Sequence, residues 1–174
     1  MEFICKGEYN HKTMAVMAKV LRKTVRKKKS RRAHIFGWGI AATGLLLCCY
    51  RVLQDGGLGI QTVITGAAVF VIVFTLLMED RINGYAARKR LLPGTEQGRT
   101  VFSDDGFSTV TEIGESQWKY DKIQVIAECG SYIVFVFSSS HGQIYDKESI
   151  EGGTIEQFRQ FLEAKTGKQI QEVL

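Results

Sequence analysis

Residues 33–53 and 58–78 form two apolar runs of 21 residues each, and Arg51 is the only charged side chain in either, with His34 near the start of the first. An α-helix rises about 1.5 Å per residue, so each run reaches roughly 31 Å, the depth of a bilayer's hydrocarbon core. The second run is rich in Val, Ile, Thr and Phe, which in water would favour strands. At bilayer length helix is the better assignment, because only an intra-segment ladder satisfies backbone groups in lipid. The connector Gln54-Asp55-Gly56-Gly57 suits a tight turn between antiparallel helices. The pattern predicts a two-helix transmembrane hairpin. A secretory signal would have a short basic start and a short apolar core. Here residues 1–32 precede a full-length span.

The periodicity changes on both sides of the hairpin. Residues 3–9 read as a short strand. From His11 onward Met14, Met17, Ala18, Leu21 and Val25 recur at helical spacing, and no breaker separates this stripe from the first span. After Met78 a helical continuation runs to about Leu92 and ends at Pro93-Gly94, the chain's single proline. Strand-like segments follow at 99–103, 107–113, 116–120, 124–128, 132–137 and 143–146, separated by turn signals. The run 132–137 is apolar at all six positions, as in a central strand buried on both faces. A last helix is capped by Thr154 with Gln157 three residues on, and stops at Gly167. The expected organisation is an N-terminal strand and basic amphipathic helix (1–32), transmembrane helices at 33–53 and 58–78, a linker helix (79–94) and a C-terminal domain (95–174). The class is an α+β membrane protein, its domain a bent sheet or partly open barrel capped by a helix.

Charge sharpens this partition. Residues 1–32 hold eleven Lys and Arg against two acids, whereas residues 100–174 hold six against twelve. Positive charge flanks both outer ends of the hairpin, with Arg81, Arg88, Lys89 and Arg90 after the second span. The positive-inside rule then places both termini in the cytoplasm. A basic helix beside a span lies on anionic headgroups, each Lys or Arg contributing about 1 kcal/mol. Arg22, Arg26, Lys27, Lys28, Lys29, Arg31 and Arg32 are the candidate headgroup contacts. Nucleic acid is set aside as a partner, because a span starting beside Arg32 holds the same helix against lipid.

The chain also resembles a known family over nearly its whole length, through the order and spacing of an N-terminal strand and basic helix, two closely spaced spans and the stretches that follow, most specifically Trp118 to Glu128. The stretches Val101-Phe102-Ser103-Asp104-Asp105-Gly106-Phe107, Ser116-Gln117-Trp118-Lys119-Tyr120-Asp121-Lys122-Ile123 and Val125-Ile126-Ala127-Glu128 are similar to the YcxB-like bacterial membrane proteins. Trp118 takes the place of that family's mid-domain tryptophan. At Ile144-Tyr145-Asp146-Lys147 the family's basic residue is present and its proline is not. The resemblance implies a pleckstrin-homology-like (PH-like) C-terminal domain and a multi-pass membrane location, with no established reaction or agreed ligand.

No catalytic constellation stands out. His11, His34 and His141 fall in three different environments, and the four cysteines form no CxxC. Asp104-Asp105-Gly106 and Ser138-Ser139-Ser140-His141 read as turns, since a catalytic serine would also need an orienting acid and an oxyanion hole. No cofactor or metal is expected. Trp118, Tyr120 and Tyr132 are core or interface residues. The expected function is a non-enzymatic membrane-anchored module for protein contact or self-association at the inner leaflet. The alternative is a sensor of anionic lipid.

Overall fold

The computed structural model describes residues 2–55 and 57–174. The turn expected at Gln54-Asp55-Gly56-Gly57 contains Gly56 and to that extent lies outside the described residues. Strand β1 (Phe3–Glu8) leads into helix α1 (His11–Lys23), capped by Asn10, whose side chain accepts from the amides of Lys12 and Thr13 at 2.9 Å. Helices α2 (Lys27–Asp55) and α3 (Ile60–Leu77) form the apolar hairpin, and α4 (Glu79–Arg88) follows. The remainder is β2 (Gln97–Phe102), β3 (Phe107–Thr111), β4 (Gly114–Trp118), β5 (Val125–Cys129), β6 (Tyr132–Val136), β7 (Gly142–Asp146), α5 (Ile155–Thr166) and β8 (Gln171–Glu172).

Two four-stranded sheets carry the domain, in orders β1-β2-β3-β4 and β7-β6-β5-β8. Where one bent sheet or a partly open barrel is expected, the described residues form two small sheets and no closed barrel. They approach each other at β1 and β7, where a Cβ on Gly7 would stand 2.9 Å from the Ile144 carbonyl oxygen. Glycine is required there because two backbones nearly touch.

The pleat of the second sheet explains the apolar run at its centre. In β6, Ile133 and Phe135 point into a core shared with Phe3, Phe102, Phe107, Phe158 and Leu162. Val134 and Val136 point the other way, into a second core with Met14, Met17, Val20 and Leu21 of α1. Successive side chains of a strand face opposite sides, so covering both sides demands apolar residues throughout. Helix α5 closes the first core. Its Thr154–Gln157 capping box is present, and Gly167 ends it in the left-handed conformation at φ 66°.

Strand β1 and helix α1 therefore pack as part of the folded domain. β1 pairs antiparallel with β2, Phe3 opposite Phe102, and both residues are fully buried. The hairpin is inserted between the first and second strands of this domain. The unbroken helix expected from His11 into the first span is also corrected. It breaks at Thr24, where the Thr24 hydroxyl donates to the Val20 carbonyl at 2.7 Å and Arg26 N reaches back to Leu21 O at 2.9 Å. A β-branched Thr-Val pair with a hydroxyl competing for the backbone ends the helix without Gly or Pro.

Within the hairpin, Gly37 packs on Leu76 and Gly44 on Val69, while Ala41 and Val69 are buried between the helices. Phe36, Leu46 and Phe70, on the outer faces, are each about 70% exposed (72%, 71% and 69%). Both helices are long and apolar enough to cross a membrane, and the rest of the protein leaves them uncovered.

Candidate functional site

Four helices meet where the hairpin joins the domain. Arg22, on the last turn of α1, donates from Nε and Nη2 to the two carboxylate oxygens of Asp80 at 2.6 and 2.7 Å. Its Nε also lies 3.6 Å from Glu79 Oε2, and His34 Nε2 of α2 is 2.6 Å from that same oxygen. The hydrogen bonds that Arg22 donates to Asp80 hold its guanidinium firmly protonated, against the opposing effect of partial burial. Glu79 and Asp80 occupy the first turn of α4, where negative charge also suits the helix dipole. One turn further, Gly84 lets α4 approach α1 closely: a Cβ there would lie 2.6 Å from Ala15 N. Helices α1 and α4 thus form a tight antiparallel stalk, and both apolar helices leave from its end.

The basic candidates divide into three groups around this junction. Arg22 is committed to Asp80. Arg26 donates from Nε to the carbonyl of Ser139, in the turn between β6 and β7. Lys27, Lys28, Lys29, Arg31 and Arg32 are exposed on the first turns of α2.

The aromatic candidates separate as well. Tyr120 is buried, and its hydroxyl donates to the carbonyls of Ser103 at 2.7 Å and Gly106 at 3.2 Å. Burial, aided by the Asp104 charge, pushes that phenol far above its ordinary range. Tyr132 is half-buried against the second core, with Lys12 Nζ 5.8 Å from its ring centroid. Trp118 is half-buried at the end of β4, stacked 4.8 Å from Phe137 and 5.4 Å from His141, its indole Nε1 donating to Ser116 Oγ at 3.2 Å. β4 is an outer strand of its sheet, and Gly114 through Gln117 are exposed.

Glu128 of β5 is a carboxylate held by two cations, a role that its place in the sequence did not signal. Arg159 of α5 donates to it twice, at 2.6 and 2.8 Å, and Lys147 Nζ lies 2.7 Å away. Hydrogen bonds from Arg159, then from Lys147, hold its carboxyl below the usual range although burial works the other way. This network fastens α5 to the second sheet. Among the described residues no group of three or more His, Cys, Asp or Glu could hold a metal ion. His141 stacks on Trp118 beside the serine turn, and Ser138 and Ser140 hydroxyls lie 3.5 Å from each other.

From the last residue of β2 into α5, residues 102–162 match the family model described as YcxB-like protein. The chain carries a YcxB-like region. No curated protein and no solved structure matches the chain. The YcxB-like region contains β3 to β7 and most of α5, with Trp118 and Glu128 inside it. The first sheet is completed from outside the YcxB-like region by β1 and all of β2 but its last residue, and the second core by α1.

Proposed function

We propose that the chain is a non-catalytic two-span membrane protein whose hairpin holds a small PH-like domain at the cytoplasmic leaflet, for contact with a protein partner or a second copy of itself. The observation that carries this reading is the insertion of the hairpin between β1 and β2. A domain attached by both ends of a hairpin, through a packed stalk, is held in one orientation to the bilayer. A freely tethered domain has no such constraint. The uncovered apolar faces of α2 and α3 support insertion in lipid. A four-stranded sheet, a second sheet and a C-terminal helix across the core support the PH-like assignment. The outer strand β4 supports protein contact, because an unpaired strand edge accepts an extended segment from another chain.

The test is site-specific photocrosslinking in intact cells. A photoreactive residue at Glu115 or Gln117 on β4 is expected to give one defined adduct. The same probe at Gln160 on α5 is expected to give none. Equal adducts from both positions, or none from β4, would remove the case for this edge.

A second reading, response to anionic lipid, is supported by the exposed run Lys27, Lys28, Lys29, Arg31 and Arg32. Reconstitution into vesicles of graded anionic content separates the two. Crosslinking through β4 that is insensitive to lipid charge supports the module, and crosslinking that follows lipid charge supports the sensor.

A further inference from the structure

A groove of about 620 Å³ runs along the stalk and is lined by α1 and α4 alone. Most of its polar groups are already engaged. His11 stacks on Tyr85, ring centroids 5.6 Å apart, at the end far from the hairpin. Lys12 Nζ lies 5.8 Å from the centroid of the Tyr132 ring. Both carboxylate oxygens of Asp80 accept from Arg22. Lys19, half-buried, and Arg81, exposed, remain, and neither forms a salt bridge to a carboxylate among the described residues. The packing of the helices puts these two cations side by side. Ala15 of α1 meets Gly84 of α4, and nearer the hairpin Arg22 meets Asp80. From the Ala15–Gly84 contact toward the hairpin, Lys19 is four residues along α1 and Arg81 three along α4. At about 1.5 Å per residue the two are level to within one residue. Lys19 shares a helix face with Ala15 and Arg81 with Tyr85, four residues apart in each case, and all four line the groove.

We infer that Lys19 and Arg81 together hold the phosphate of one anionic phospholipid from the leaflet at the base of the stalk, an inference that rests on the membrane insertion proposed above. Two level cations repel each other, and a phosphate shared between them replaces that repulsion with charge-assisted hydrogen bonds to both. Their depth selects the source of the phosphate. Arg81 follows Met78, the last residue of the apolar run, by three residues, at most about 4.5 Å of helix. The head-group layer of a bilayer is about 5–7 Å deep on each side, so with the hairpin inserted both side chains stand among lipid phosphates. A zwitterionic head group brings its own cation to the same place and gains less.

The full-length chain in non-ionic detergent micelles is titrated with phosphatidylglycerol, and native mass spectrometry counts the bound lipid. One lipid is expected to bind ahead of the rest. Lys19→Gln and Arg81→Gln should each raise the Kd for that lipid about tenfold, the weight of one charge-assisted hydrogen bond. The double variant should fall well short of the roughly hundredfold loss that two independent contacts would give, because either change alone already frees the phosphate. Lys19→Arg with Arg81→Lys keeps both charges and should bind like the parent. Lys89→Gln with Arg90→Gln removes the same charge beyond the far end of α4 and should leave the Kd unchanged. Phosphatidylcholine should bind about tenfold more weakly, and millimolar inorganic phosphate should not displace phosphatidylglycerol. Neither Lys19 nor Arg81 supports a salt bridge, so an unchanged thermal midpoint shows that a weakly binding variant is still folded. Equal loss from the far pair, multiplying losses in the double variant, or displacement by inorganic phosphate would each overturn the inference. Binding in micelles does not require a spanned bilayer. Flotation of the parent chain with membranes tests insertion separately, so the two failures are told apart.

Discussion

Close backbone approaches make single residues decisive. At Gly84 any side chain meets the backbone of Ala15 and Met14 rather than a movable side-chain tip. Gly84→Ala gains about 1 kcal/mol of helix propensity but forces the stalk apart, and overpacking of this kind costs about 1–3 kcal/mol. A lower midpoint of thermal unfolding in detergent is expected. Gly39→Ala, where a Cβ meets nothing within 4 Å, should not lower it. Glu128 makes a pH-dependent prediction. Its folded pKa is depressed, so its stabilisation is fully present above the unfolded value of about 4.3 and is lost as pH falls through the lower folded value. Glu128→Gln should therefore lower stability at pH 7 by about 2 kcal/mol, the scale of hydrogen bonds to a charged group. The difference from the parent should shrink as pH falls below about 4. Melting temperatures across pH 3 to 7 check both parts. Cys5 stands at the other extreme: burial pushes its thiol up to about 12, and it should resist maleimide in the folded protein.

At the scale of elements, much was legible because period and length speak directly. The apolar runs became α2 and α3, the capping box at Thr154 began α5, and Gly167 ended it. The strand at residues 132–137 announced burial on both faces, and its two faces meet two different cores. The break at Thr24 was missed because it uses a hydroxyl and a β-branched neighbour instead of Gly or Pro. β8 was missed because two residues paired parallel to β5 leave no pattern of their own. The junction of Arg22, His34, Glu79 and Asp80 was invisible for a different reason: its members lie up to 58 residues apart and are joined only by the antiparallel packing of α1 on α4. That packing makes a reciprocal prediction. Arg22→Asp or Asp80→Arg alone puts like charges in contact and should destabilise the full chain by about 2–4 kcal/mol, because a partly buried charge loses its partner. The swap of both should recover most of the loss. A double-mutant cycle on thermal midpoints measures the coupling. Additive losses would mean that the pair holds nothing together.

At the scale of the molecule, the point with the widest consequence is that sequence order and folded order differ. A boundary at residue 95 follows the composition, but it cuts the domain from β1 and α1. A fragment of 95–174 lacks Phe3, which is fully buried against Phe158 and Phe161. It also lacks Met14, Met17, Val20 and Leu21, leaving Val134, Val136 and Ile144 of the second sheet uncovered. Two opened apolar faces on so short a chain leave little to offset conformational entropy, so this fragment should aggregate or remain unfolded. The alternative cut follows the fold. Because Arg22 and Asp80 touch, the end of α1 and the start of α4 are close. Five flexible residues reach about 17 Å when extended, enough to join residue 24 to residue 79 in place of the hairpin. The resulting chain keeps both cores and the stalk while discarding both apolar helices. It should stay soluble and unaggregated in water without detergent and melt cooperatively, as size-exclusion chromatography and circular dichroism would record. If 95–174 folds alone, or if the hairpin-less chain does not fold, then β1 and α1 are not parts of one domain interrupted by the apolar hairpin. The proposal that the domain is held in one orientation to a bilayer would then lose its physical basis.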